Sequence, residues 1–120
     1  MGEFLDPLLS EMFMENGRRN VRLLTHFEYL YKKDYLISVP FGFVSDGASI
    51  PEFAWSLVGH PFDEYLEAAI IHDYLYRNGI GTKHKADVIF LQGMKDLKVN
   101  IVKRRIMYWC VVGFGKGSWK

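Results

Sequence analysis

The chain has 120 residues, 49% of them apolar and 16% aromatic. That is enough for one hydrophobic core and too little for two, so a single domain over 1–120 is expected, with disorder confined to the ends. The formal net charge of +1 gives no general case for a nucleic-acid partner, and the lone cysteine, Cys110, excludes an intramolecular disulfide and a multi-cysteine zinc site.

Residues 6–15 place Leu8, Leu9, Met12 and Phe13 at helical spacing. Asp6 is a candidate N-cap, Pro7 suits the first helical position and Asn16-Gly17 suits a stop, so a helix is predicted here. A strand-like run from Val21 to Tyr29, the polar turn Lys32-Lys33-Asp34 and a second run from Tyr35 to Val39 predict a β-hairpin. Pro40 and Gly42 break the pattern, so residues 41–51 are expected to cross the surface as a loop. A short helix is predicted from Pro51 through Trp55 and Leu57. Asp63 is the expected N-cap of a helix to about Asn78, closed by Gly79 and Gly81. Thr82 caps the next, which runs to about Lys98, and a last helix is predicted over about 100–114. It holds Cys110 in the run Met107-Tyr108-Trp109-Cys110-Val111-Val112, where a small buried thiol is the expected reading.

The tail from Gly115 is flexible by composition, with Trp119 able to dock. Lys95, Lys98, Lys103, Arg104 and Arg105 read first as a solvated helix face and turn. The expected architecture is α+β: an N-terminal β-hairpin and surface loop packed on a mainly helical core, in which two antiparallel helices carry the site. There is no evident leader sequence, and no apolar run of the ~18 residues that span a bilayer.

The chemistry concentrates on those two helices. Tyr65, Ala69, His72 and Tyr76 share a face at steps of four, three and four residues. Asp87 lies on the apolar stripe of the following helix with Phe90, Leu91 and Met94. Antiparallel packing across the short glycine-containing connection would let the inward carboxylate meet the inward imidazole, and a buried carboxylate needs such a partner. Asp73, next to His72, points to another sector, where Asp46 from the loop could join it. The bland reading is a buried His72–Asp87 pair tying two helices, with Tyr76 as packing, Asp46-Gly47 as a turn and Ser49 as a helix cap. A zinc site from His72, Asp73 and Asp87 is disfavoured, because neighbouring helical residues diverge by about 100°. Phe41, Phe43, Ile50, Phe53 and Trp55 could offer an apolar contact surface, and core packing is the commoner role for such residues. His26, His60 and His84 have no evident partner.

Three pieces together resemble a known family: Ser45-Asp46-Gly47-Ala48-Ser49, then Ala68-Ala69-Ile70-Ile71-His72-Asp73-Tyr74-Leu75-Tyr76-Arg77-Asn78, then Asp87-Val88-Ile89-Phe90 with Met94. In order and spacing they resemble the core of secreted bacterial and fungal phospholipase A-two enzymes, over residues 45–94. The resemblance implies His72 as the general base toward an attacking water, Asp87 as its orienting carboxylate, and Tyr76 as a hydrogen-bonding support. It implies Asp46, Asp73 and carbonyls near Gly47 as ligands of a weakly bound calcium ion. A phospholipid or membrane surface would then be a partner. Ala48 and Ala69 stand where that family has bridging cysteines, which suits a reducing compartment.

A second resemblance covers nearly the whole chain. The run Val39-Pro40-Phe41-Gly42-Phe43-Val44-Ser45-Asp46-Gly47-Ala48-Ser49-Ile50-Pro51, with Ala86-Asp87 and Phe114-Gly115, is similar to small phage and prophage proteins classed as a domain of unknown function. It implies a phage or prophage setting, in the host cytoplasm or the phage particle, with other phage proteins as possible partners. Two functions are therefore expected in competition. One is a calcium-assisted hydrolase of a lipid ester. The other is a non-enzymatic accessory or virion protein whose His/Asp cluster is a structural hydrogen-bond network.

Overall fold

The computed structural model describes residues 2–15, 17–45, 65–114 and 119. In chain order these form strands β1 (Glu3–Phe4), β2 (Ser10–Glu15), β3 (Arg18–Leu23), β4 (Phe27–Lys32), β5 (Tyr35–Val39) and β6 (Val44–Ser45), then helices α1 (Leu66–Arg77), α2 (Lys83–Asp96) and α3 (Ile101–Phe114). The strands make two three-stranded sheets of order β1-β4-β5 and β2-β3-β6, antiparallel throughout. Within the expected loop, Val44 and Ser45 instead pair with β3 as β6, and the helix expected to start from an Asp63 cap has its N-cap at Tyr65, with no side-chain capping bond; residues 46–50 of the loop and the short helix from Pro51 lie outside the described residues.

Two further expectations are overturned. Residues 10–15 are a strand and not part of a helix: β2 pairs with β3 from Ser10↔Leu23 to Glu15↔Arg18. Asn-Gly serves a helix stop and a hairpin turn equally well, and pairing to β3 decided between them. Gly17 turns at φ 75°, a left-handed value that glycine adopts without steric penalty. Asp6 accepts from the backbone N–H of Glu28 at 3.1 Å, instead of capping a helix.

The second correction concerns the architecture: two sheets of six strands precede three helices, so the protein is not a hairpin laid on a mainly helical core. The run from Val21 to Tyr29 is interrupted at residues 24–26 and contributes to both sheets. The hairpin partner of β5 is therefore β4, in the register Phe27↔Val39 and Tyr29↔Ile37, with the turn at Lys33-Asp34 as the sequence suggests.

Alternation makes the sheets half of the core. Phe27, Tyr29 and Tyr31 on β4, Ile37 and Val39 on β5, and Val21 and Leu23 on β3 pack against Ile70, Ile71, Leu75 and Tyr76 of α1 and Ala86 and Ile89 of α2. A second cluster joins the helices through Tyr65, Ala68, Ala69, Phe90, Met94, Met107 and Val111. Cys110 is buried there, and burial pushes its thiol up, the inert state expected of it.

The helical half follows its punctuation. Thr82 caps α2 by accepting from Lys85 N–H at 3.1 Å, and Asn100 does the same for α3 by accepting from Val102 N–H at 2.8 Å. Gly79 and Gly81 take φ 57° and 71° in the link between α1 and α2, which doubles the chain back. Ala68 meets Gly93 while Tyr76 meets Asp87, so the two helices run antiparallel. A Cβ added at Gly93 would lie 3.1 Å from Ala68 Cβ and 3.6 Å from a Phe4 ring carbon. Gly93→Val should therefore force α1 and α2 apart and cost about 2–3 kcal/mol by urea unfolding. An unchanged midpoint would show that the helices do not approach so closely.

Candidate functional site

α1 is buried on most of its circumference, including Ala68 through Asp73 with Leu75 and Tyr76, because sheets cover one side and α2 the other. His72 and Tyr76, one turn apart, face Asp87 near the start of α2. His72 Nε2 lies 2.9 Å from Asp87 Oδ1, and the Tyr76 hydroxyl donates to the same oxygen at 2.5 Å. Lys83 Nζ donates to Asp87 Oδ2 at 2.8 Å. The same ammonium donates to the carbonyls of Val111 and Val112 near the end of α3, at 3.1 and 3.2 Å. One carboxylate thereby connects all three helices. The His72 ring packs against Tyr76 and Phe90 with centroids 4.1 and 4.8 Å away, and Trp119 docks edge-on against Tyr76 at 5.2 Å.

Burial sets the protonation states. His72 and Asp87 are each 1% exposed. Burial pushes the His72 imidazolium down in pKa, and the attraction of Asp87 does not reverse it, since Lys83 already balances that carboxylate. For Asp87, burial pushes upward, but hydrogen bonds from His72, Lys83 and Tyr76 outweigh it and hold the carboxyl below the usual range. Burial and then Asp87 push the Tyr76 hydroxyl far up, so it remains a donor. An ionised carboxylate only accepts, so His72 is a neutral imidazole with its proton on Nε2 and a lone pair on Nδ1. This is the protonation state of a resting general base.

Asp73 points to a different sector, toward β6. Its Oδ1 accepts from Arg77 Nε at 3.1 Å, and Arg77 Nη1 donates to the carbonyl of Val44 at 3.1 Å. Asp46 and Gly47, the other expected calcium ligands, lie outside the described residues. A carboxylate already paired with a guanidinium falls well short of the ~6–8 oxygens calcium takes, so the described residues do not by themselves fit that ion. Among them, the His, Asp and Glu side chains whose ligand atoms converge within 4.8 Å are Asp6, His26 and Glu28, and not His72, Asp73 and Asp87.

Of the expected apolar contact residues, Phe41 is 71% exposed. Phe43 packs edge-on against Tyr74 at 5.4 Å, while Ile50, Phe53 and Trp55 are not among the described residues. His84 sits in the first turn of α2, inside the helix that the Thr82 cap predicts. Lys83 is the site residue that pattern reading missed. Its signal was the four-residue step to Asp87, which puts cation and carboxylate on one helix face.

Fold and site together define an α+β protein with a buried His–Asp–Tyr cluster between two antiparallel helices, its carboxylate ion-paired with Lys83. The chain belongs to the DUF1353 family, described as protein of unknown function, whose profile matches residues 21–111. It is 42% identical over 78 residues to the uncharacterized protein y4jT of Sinorhizobium fredii (strain NBRC 101917 / NGR234), covering 64% of this chain and 23% of that protein. It is 31% identical over 72 residues to the uncharacterized protein y4iH of the same organism, covering 59% of this chain and 30% of that protein. The chain thus matches less than a third of the length of either relative. No solved structure shows a significant match. No helix among the described residues is long and apolar enough to cross a membrane.

The two buried groups make stability fall with acid. Below the ordinary histidine value of about 6.5 the unfolded chain takes up a proton that native His72 refuses, with a slope approaching ~1.4 kcal/mol per pH unit. Asp87 adds a further loss below the ordinary aspartate value of about 3.9. His72→Gln should flatten the urea-midpoint profile between pH 5 and 6.5, and an unchanged slope would show that His72 is not held neutral. Tyr76→Phe removes one donor from an ionised carboxylate and should cost about 1.5–3 kcal/mol in the same experiment; a wild-type midpoint would mean that this hydrogen bond contributes nothing.

Proposed function

We propose that His72 and Asp87 form the general-base dyad of a hydrolase acting on a carboxylic ester, with a phospholipid as the substrate class. The observation that carries this reading is the anchoring of Asp87. Its two oxygens are held by three donors, which fixes the histidine tautomer and leaves Nδ1 as the base. In the reaction, Nδ1 takes a proton from a water as its oxygen attacks the ester carbonyl. Asp87 stabilises the imidazolium, and the same proton passes to the departing alkoxide, releasing acid and alcohol. Tyr76 and Lys83 act through Asp87 and are positioning residues.

The lipid substrate, the calcium ion at Asp46, Gly47 and Asp73, and a phage or prophage setting rest on the sequence resemblances. Calcium would supply charge stabilisation at the carbonyl oxygen.

A second reading has its own support. With His72 and Asp87 each 1% exposed and Lys83 reaching α3, the cluster also suits a structural tie in a non-enzymatic phage accessory or virion protein. The two separate on hydrolysis of a short-chain nitrophenyl ester and of phospholipid vesicles, in millimolar calcium and in chelator. The enzyme reading expects turnover that drops about 10²–10⁴-fold in His72→Gln and Asp87→Asn proteins that keep native circular dichroism. Dependence on calcium would support the metal as well. A folded wild-type protein inert on both substrates in both buffers would leave the structural tie.

A further inference from the structure

Charge is unevenly distributed along the chain. All 14 acidic residues lie at or before Asp96, while six of the 15 basic ones follow it, a division hidden by the net charge of +1. Asp96 itself is engaged, accepting from the Tyr29 hydroxyl at 2.5 Å and from Gln92 at 3.1 Å.

The basic segment coincides with an exposed apolar face. Ile101, Val102, Trp109 and Val112 of α3 are 50, 62, 68 and 40% exposed. With Arg105 they fall inside one sector of about 100° at 3.6 residues per turn. Beside this face, an open groove of about 280 Å³ is lined by Leu91, Lys95, Arg104, Arg105, Tyr108 and Trp109. Among the described residues that line it, three are cations and none is acidic. Arg104 is held in place by donating from Nη1 to the Val99 carbonyl at 3.2 Å.

We propose that α3 and this groove are a docking surface for an anionic phospholipid bilayer. Trp109, Val102 and Val112 enter the boundary between headgroups and acyl chains, while Lys95, Arg104 and Arg105 meet lipid phosphates. The helix, ~21 Å long at 1.5 Å per residue, lies in the plane of the interface. Arg105 lies within the apolar sector and Arg104 about 60° beyond its edge, so both guanidinium groups reach lipid phosphates on long apolar stems while the tryptophan ring, apolar with one polar N–H, suits the same boundary. Nucleic acid would use the cations and stack on the rings, but Ile101, Val102 and Val112 would find no partner there. The surface is separate from the His72 dyad and does not depend on it being catalytic.

The test is co-sedimentation of the full chain with phosphatidylcholine vesicles with and without phosphatidylglycerol. Binding should require the anionic lipid and weaken as salt rises. Arg104→Gln and Arg105→Gln should each weaken it about fivefold, and Trp109→Ala about tenfold, all three with unchanged thermal melting. His72→Gln should bind as wild type, so a failure of hydrolysis would leave this surface standing. Absence of binding to anionic vesicles, indifference to all three substitutions, or a preference for a single-stranded oligonucleotide over vesicles would overturn the proposal.

Discussion

A carboxylate buried at the junction of three helices constrains much of this protein. Asp87 is ionised where water does not reach it, and such a group is tolerated only when its oxygens are satisfied and its charge is balanced. His72, Tyr76 and Lys83 do both. Each of these contacts then places a backbone. The first two hold α1 against α2, and Lys83 carries the connection on to the carbonyls at the end of α3. The close approach of Gly93 to Ala68 serves the same end from the other side of the helix pair, since a bulkier residue there would open the gap that the short hydrogen bonds must span.

The same arrangement has chemical consequences. A histidine that donates to a fixed carboxylate has its second nitrogen free of a proton, and burial keeps it neutral across the physiological range. Structural tie and general base therefore ask for the same protonation state and geometry, and they differ in whether water and a substrate reach Nδ1. The sheets contribute by covering α1 with aromatic side chains, which lowers the local dielectric and strengthens every contact to Asp87. Asp73 and Arg77, on the turn that faces β6, tie the helix to the strand end through Val44.

Charge is sorted at a larger scale as well. The acids lie in the part of the chain that ends with α2, and α3 with its flanks carries only cations among its charged groups. A face with exposed aliphatics, a tryptophan and arginines is costly to leave in water along its apolar part, and a partner that is anionic and apolar at once relieves that cost.

The helical half and its site were legible in the sequence because the signals there are local. Thr82 as cap, glycines in the link and residues His72, Tyr76 and Asp87 at three- and four-residue steps state both the helix and the direction of each side chain. Lys83 was legible by the same rule. The N-terminal half was not, because its residues admit two local readings: Leu8, Leu9, Met12 and Phe13 fit a helical period, and Asn16-Gly17 fits either a stop or a turn. The segment became β2 by pairing with β3, and the run after Val21 was divided between two sheets by contacts distant in sequence. By itself, the sequence determined the three helices of the C-terminal half, the Thr82 cap and the meeting of imidazole with carboxylate. Tertiary structure alone decided strand pairing and the burial that fixes the charge on each group, because a strand's hydrogen bonds and a group's solvation are supplied by residues elsewhere in the chain.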